Sequence, residues 1–353
     1  MNPLIRKIVL WKQLVICAAL VIILVSSSLV IEQARVESRV VMEAVQRATN
    51  YLVSHFNSTV GLIYESEDTG THWLKRTEYP NYHWHYDQTY WLYSDNLFAI
   101  YALLPWRPDI SAMINETYHR WNPPPSNKFE SVIGVPVGPD RMAVDVLLNY
   151  TDSYAILYRL HNGTIGDPKF PFADAIIYQA LTEHYLGHQN LAVEYVNRAA
   201  SFWNGTCLVD SGVTQTYLTK GNAPSDIQWC TNFKIALVLY GAAVIGVDLA
   251  AHDQMLNQLL RSQKENGGIT TLAYGNGTPS GSANAETTAA FLLNFNTKLI
   301  SRLNGKSFAL GVPERVDLPI PIFVAFVLPF SYVSYDRGKM DGHLRFTLTE
   351  SSC

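Results

Sequence analysis

The sequence predicts a mainly α protein: an α/α toroid of helical hairpins, with an N-terminal membrane anchor before it and a small C-terminal β appendage after it. Three observations carry this expectation. Apolar residues recur at three- and four-residue spacing along most of the chain. Two kinds of helix alternate, one amphipathic and charged, the other apolar all round and therefore buried. Asn- and Gly-rich stops separate them in a repeating order. The expected bounds are 1–34 for a cytoplasmic stub and anchor, 35–317 for the toroid and 318–353 for the appendage.

The totals fit such a body. The chain has 353 residues, of which 48% are hydrophobic and 16% charged, enough to bury a sizeable core and too apolar for general disorder. Against 30 Asp and Glu stand 26 Lys and Arg, a net charge of -4 with no basic block. That excludes a nucleic-acid role, which needs clustered cations to neutralise phosphates. The 20 Tyr and 8 Trp are a heavy aromatic load, suited to core packing or to carbohydrate and peptide surfaces.

The anchor comes first. Arg6, Lys7 and Lys12 precede 14-LVICAALVIILVSSSLVI-31, an uncharged run just long enough to cross a bilayer. Basic residues before it and Glu32 after it predict the N-terminus inside and the body outside, as a single-pass protein of the cell membrane. A signal peptide cleaved near Val25-Ser26-Ser27 is the alternative, and both routes export the body. Sequons at Asn57, Asn115, Asn149, Asn162, Asn204 and Asn276 agree with export and glycosylation. Of the cysteines, Cys17 falls in the anchor and Cys353 at the end. Cys207 and Cys230 are the plausible disulfide in an oxidising compartment, worth about 3 kcal/mol by loop closure.

The helices follow in pairs. The amphipathic members are 35–56, 109–121, 190–203 and 252–263; the apolar ones start at 93, 150, 171, 229 and 283. About five hairpins are recognisable, and the irregular segments 122–149 and 296–317 have room for another helix. The run 318-LPIPIFVAFVLPF-330 is short and carries three prolines, which disfavours a membrane helix and favours short strands. A second membrane-associating segment is the rival reading there.

Two of the apolar starts echo one another: 93-YSDNLFAIYAL-103 and 150-YTDSYAILYRL-160. Aligned on that motif, Asp95, Asp152, Asp174, Thr231 and Glu286 occupy equivalent places. Singly, an acid at a helix start caps free N–H groups and complements the dipole, worth about 0.5–2 kcal/mol. As a set around one cavity, Asp95, Asp152, Asp174 and Glu286 offer the paired carboxylates that glycoside hydrolysis requires, with Glu65 a further loop acid. The loop 79-YPNYHWHYDQTYW-91 supplies sugar-binding candidates: Trp84 and Trp91 to stack on rings, with Tyr86, His83, His85 and Asp87 beside them. His83, His85 and Asp87 have the makings of a metal site, but solvated loop histidines are the simpler reading. No metal and no cofactor is expected. His and Tyr could also act as base and acid in a lyase.

Residues 37–295 resemble, in hairpins and helix mouths, the α/α-toroid superfolds: six-hairpin glycosidases, α/α polysaccharide lyases, and terpenoid-cyclase and prenyltransferase toroids. The stretch 263-QKENGGITTLAYGNG-277 is similar to the Q…GGF phrase of the last group, with Ile269 in place of the aromatic. The DxDD-type signature of cyclases and the zinc ligands of prenyltransferases are missing, so the resemblance implies carbohydrate binding or cleavage rather than those activities. Anchor, sequons, low Lys content and Tyr richness together resemble archaeal surface proteins. The alternative is a non-catalytic cell-surface scaffold or envelope subunit.

Overall fold

The computed structural model describes residues 38–66, 88–91, 94–120, 128–136, 143–150, 154–161, 172–210 and 229–305. All lie in the unit Met1–Ser307. The expected anchor at 14–31, the loop residues His83, Trp84, His85, Tyr86 and Asp87, and the expected appendage at 318–353 lie outside the described residues. Among the described residues no helix is long and apolar enough to cross a membrane. The protein is mainly helical, with small sheets between the helices.

Amphipathic helices form the outer set. α1 (38–54) buries Ala44, Val45, Ala48, Tyr51 and Leu52, an apolar stripe at helical spacing, while Val40 and Met42 face solvent. α3 (Pro108–Arg120) opens on proline, whose missing N–H costs nothing at a first helical position, and buries Ile110, Ile114 and Tyr118. α5 (Gln189–Ala200) buries Ala192, Val196 and Ala199, and α7 (His252–Arg261) buries Met255 and Leu259.

Four helices form the inner set: α2 (Ser94–Leu103), α4 (Ala173–Tyr185), α6 (Asn232–Ile245) and α8 (Ala285–Leu293). They are buried nearly all round, as their uninterrupted apolar sequences demand. α2 packs on α8, α8 on α6 and α6 on α4. Gly241 of α6 has no room for a Cβ against Ile177 of α4, so glycine allows that pair its close approach. A 3-10 helix, Lys128–Ile133, touches both α4 and α2. Its Phe129 ring meets Phe98 of α2 and Tyr178 of α4 edge-on, at 5.8 and 5.5 Å, and Tyr240 Oη of α6 donates to Val132 O at 2.7 Å. α9 (Thr297–Leu303) lies at the far ends of the inner helices. Asn296 Nδ2 donates to Tyr101 O of α2, and His184 Nε2 of α4 lies 3.1 Å from Leu303 O. Both the 3-10 helix and α9 fall in the two irregular segments where room for a further helix was expected.

One expectation is overturned. Residues 150–160 are not an inner helix. β4 (Ala143–Tyr150) and β5 (Tyr154–His161) are antiparallel, and β5 also pairs in parallel with β3 (Gln88–Trp91), in the order β3-β5-β4. Tyr154, Ile156, Tyr158 and Leu160 alternate along the chain, so the segment satisfies the strand period as well as the helical one. A pairing partner on each edge decides between them. Asp152, which in the sequence falls between β4 and β5, is outside the described residues.

Smaller strands complete the fold. β1 (Phe56–Asn57) and β2 (Leu62–Ile63) make a minimal antiparallel pair. β6 (Trp229–Thr231), β7 (Thr270–Tyr274) and β8 (Pro279–Ala283) form an antiparallel sheet. The expected disulfide is formed: Cys207 joins Cys230 of β6, with Cα atoms 5.9 Å apart.

Candidate functional site at the helix N-termini

Short strands aim the inner helices. β6 runs directly into α6, and β8 reaches α8 through Asn284. β7 pairs with both strands, which sets the two helix starts side by side. Asn284 caps α8 by accepting from Thr287 N at 2.9 Å. Residues 63–65 tie α8 to α2. Ile63 N–H donates to Asn96 Oδ1 (2.8 Å), Asn96 Nδ2 donates to Ile63 O (3.1 Å), and Ala285 N–H donates to Glu65 O (2.7 Å). Asn284 Nδ2 also reaches Glu65 Oε1 at 3.2 Å. The start of α4 meets that of α6 through Lys234, whose Nζ lies 3.6 Å from Asp174 Oδ1. The N-termini of α4, α6, α8 and α2 thus lie at one end of the inner set.

Three of the expected acids are brought to that end. Asp95, Asp174 and Glu286 are each the second residue of their helix. Their exposures differ. Asp95 is buried, at 1%. Asp174 keeps 20% of its side chain exposed, and Glu286 and Glu65 are half-buried. Thr231 is the N-cap residue of α6, one place before the helix. Trp91 is the last residue of β3, three positions before α2 starts.

At this end, between the starts of α4 and α6, lies a pair that sequence reasoning missed. Lys234 Nζ donates to both oxygens of Asp210, each at 2.7 Å, and Asp210 Oδ2 also accepts from Ala173 N–H at 2.8 Å. Asp210 is 3% exposed and Lys234 8%. One loop acid therefore caps α4 from outside and neutralises a lysine buried in the first turn of α6. The ammonium also stands 5.5 Å from the centroid of the Phe172 ring, in cation–π range. A signal for this was present: one lysine inside the otherwise apolar run 232–245 cannot be buried without an acid.

An aromatic stack adjoins Glu65. His55 lies 4.0 Å from the Tyr51 ring and 4.2 Å from Tyr64, and Tyr90 meets Tyr64 and Tyr154 edge-on at 6.3 and 5.5 Å. Tyr90 is fully buried, and burial raises its phenol above the usual value of 10.0. It accepts a hydrogen bond from Asn57 Nδ2 at 3.1 Å and stays protonated, a packing group rather than a base. That bond also turns the amide nitrogen of the Asn57 sequon inward. Asn204 and Asn276 are exposed, each with its Oδ1 accepting from a nearby threonine N–H. Asn115 is half-buried on α3, Asn149 lies in β4, and Asn162 is outside the described residues.

Among the described residues no group of three His, Cys, Asp or Glu side chains is arranged to hold a metal ion. What the site offers chemically is a set of carboxylates of graded burial, three of them reaching solvent, close to helix N–H groups and one buried cation. No protein-family model, curated protein or solved structure matches this chain.

Proposed function

We propose that the protein is an extracytoplasmic α/α toroid, held to the cell membrane by its N-terminal helix, that binds a carbohydrate at the helix-mouth end and cleaves it. The single observation that carries this reading is the gathering of four inner-helix N-termini at one end, with Asp174, Glu286 and Glu65 partly open to solvent there. Acids in differently buried settings take different protonation roles, one donating to the glycosidic oxygen and one acting as base or nucleophile. Asp95, more deeply buried, is less suited to touch a substrate. The aromatic residues that would stack on sugar rings are Trp84 and Trp91, with Tyr86, His83, His85 and Asp87 beside them. Membrane attachment, glycosylation and toroid closure belong to the same reading.

The test is a panel of polysaccharides and glycans incubated with the purified protein, reading reducing ends and unsaturated products. Hydrolysis gives reducing ends without an unsaturated chromophore, and Asp174→Asn and Glu286→Gln should each abolish it while far-UV circular dichroism is unchanged. Unsaturated product would move the chemistry to a lyase using His83, His85 and the tyrosines. A folded protein that leaves the whole panel uncut sinks the catalytic reading.

A second reading, a non-catalytic surface scaffold, draws support from Asp210 and Asp95. Both are buried, and Asp210 is committed to a helix N–H group and a lysine. An intact fold with no glycan cleavage or binding is what that reading expects.

A further inference from the structure

The opposite end of the inner helices carries a second feature, which the helix-mouth reading does not use. The C-terminal end of α2, the turn into α3, and α9 enclose an open pocket of about 530 Å³. That lies within the ~300–1,000 Å³ typical of sites for small organic ligands. Its walls include Tyr101, Leu104, Trp106 and Phe295, and its cationic side is Lys298 and Arg302. These two lie four residues apart on α9, on one face of the helix, and both are exposed. Neither has a carboxylate partner among the described residues, whereas nearby Arg107 is clamped by Asp109 at 2.7 Å and Arg120 by Glu116 at 3.4 Å. Leu104 is 50% exposed at the same pocket, an apolar surface left uncovered among the described residues. The indole N–H of Trp106 is enclosed without an acceptor. Among the described residues, the pocket therefore joins exposed apolar surface to two cations without a carboxylate partner.

We infer that this pocket binds a small amphipathic organic anion, a carboxylate or phosphate head on an apolar body. Lys298 and Arg302 take the head, and Leu104, Phe295 and the aromatic walls take the body. Charge-assisted hydrogen bonds from two cations favour the anionic head, and burial of the body supplies the remaining affinity. Neither part suffices alone, because exposed cations bind simple anions weakly in salt.

Titration calorimetry on the full chain in phosphatidylcholine nanodiscs tests this with four probes: 4-phenylbutyrate, phenyl phosphate, neutral 4-phenylbutan-1-ol, and acetate. Saturable binding is expected for at least one of the two aromatic anions, at least about tenfold tighter than for the alcohol and for acetate. The double variant K298Q/R302Q should weaken it by about tenfold or more at unchanged thermal midpoint. Leu104→Glu, an exposed substitution that places a like charge at the apolar wall, should weaken it similarly. Equal affinity for the alcohol, full affinity in either variant, or no saturable binding up to about 10 mM overturns the proposal.

Discussion

Two segments with nearly the same beginning end as different structures. Residues 93–103 run Tyr-Ser-Asp-Asn and then apolar, and 94–103 form α2. Residues 150–160 run Tyr-Thr-Asp-Ser and then apolar, and 154–161 form β5. What differs is the company. In the first, Asn96 is gripped by both backbone groups of Ile63, and Leu97, Phe98, Ala99 and Ile100 all enter the core, as in a helix covered on every side. In the second, alternate residues fit a sheet, and strands wait on both edges. Propensity at this scale is a weak prior that tertiary context overrides. The strand that precedes α2 in the chain, β3, pairs with the first half of β5.

Truncating Phe98 to Ala should give the largest loss, about 4 kcal/mol in urea unfolding, because it empties the space where α2 faces Phe129 and Phe233. Ile156→Ala, on the strand side, should cost about 3 kcal/mol. If the strand variant lost more than the helix variant, the helix core would not be the stronger of the two. Asn96→Ala should cost about 2 kcal/mol by leaving buried groups of Ile63 without this partner, and Asn96→Asp should cost at least as much at neutral pH, because it sets a buried carboxylate against Ile63 O. Tyr90→Phe should cost about 1 kcal/mol, through loss of the hydroxyl that accepts from Asn57 Nδ2, with ring packing retained.

Tyr90 also gives the comparison a pH signature. Burial raises the phenols of Tyr90, Tyr185 and Tyr240 above 10.0 in the fold. Below pH 10 both folded and unfolded chains hold these protons, so their contribution is fully present. Above pH 10 the unfolded chain releases protons that the folded one retains, so stability falls toward the raised values. The thermal midpoint, followed with tyrosinate absorbance, should decline above pH 10, and less steeply in Tyr90→Phe. An unchanged slope would place Tyr90 in water.

Most of the helical skeleton was legible because burial and amphipathicity are written in spacing. The inner starts near 93, 171, 229 and 283 and the four outer helices all appear within a few residues of where the pattern placed them. The start at 150 misled because Tyr-Ala-Ile-Leu-Tyr-Arg-Leu satisfies two periods, and no local residue reports the strands at 88–91 and 143–150. At the site, Asp95, Asp174 and Glu286 were visible as acids opening apolar helices. Asp210 was not, since it works on α4 and α6 from a loop distant in sequence. Lys234 could have been found as a lone cation in an apolar helix, with its partner still unnamed. The Q…GG phrase proved structural. Gln263 Nε2 donates to Ala44 O of α1 and to Gly267 O. Gly267, at φ +92°, and Gly268 have no space for a Cβ against Arg47 and Tyr51.

That seam has a temporal consequence. Gln263 to Ala44 and Asn284 to Glu65 each join residues 219 apart in the chain. A ribosome adding about 5–20 residues per second needs roughly 10–45 s between making the two sides of the seam. Throughout that wait α1 has finished emerging without its final neighbour, its apolar stripe uncovered. Such long-range contacts slow folding and prolong exposure to aggregation. Chains stopped before residue 263 should therefore leave α1 undocked and open to proteases, while chains reaching 305 should protect it.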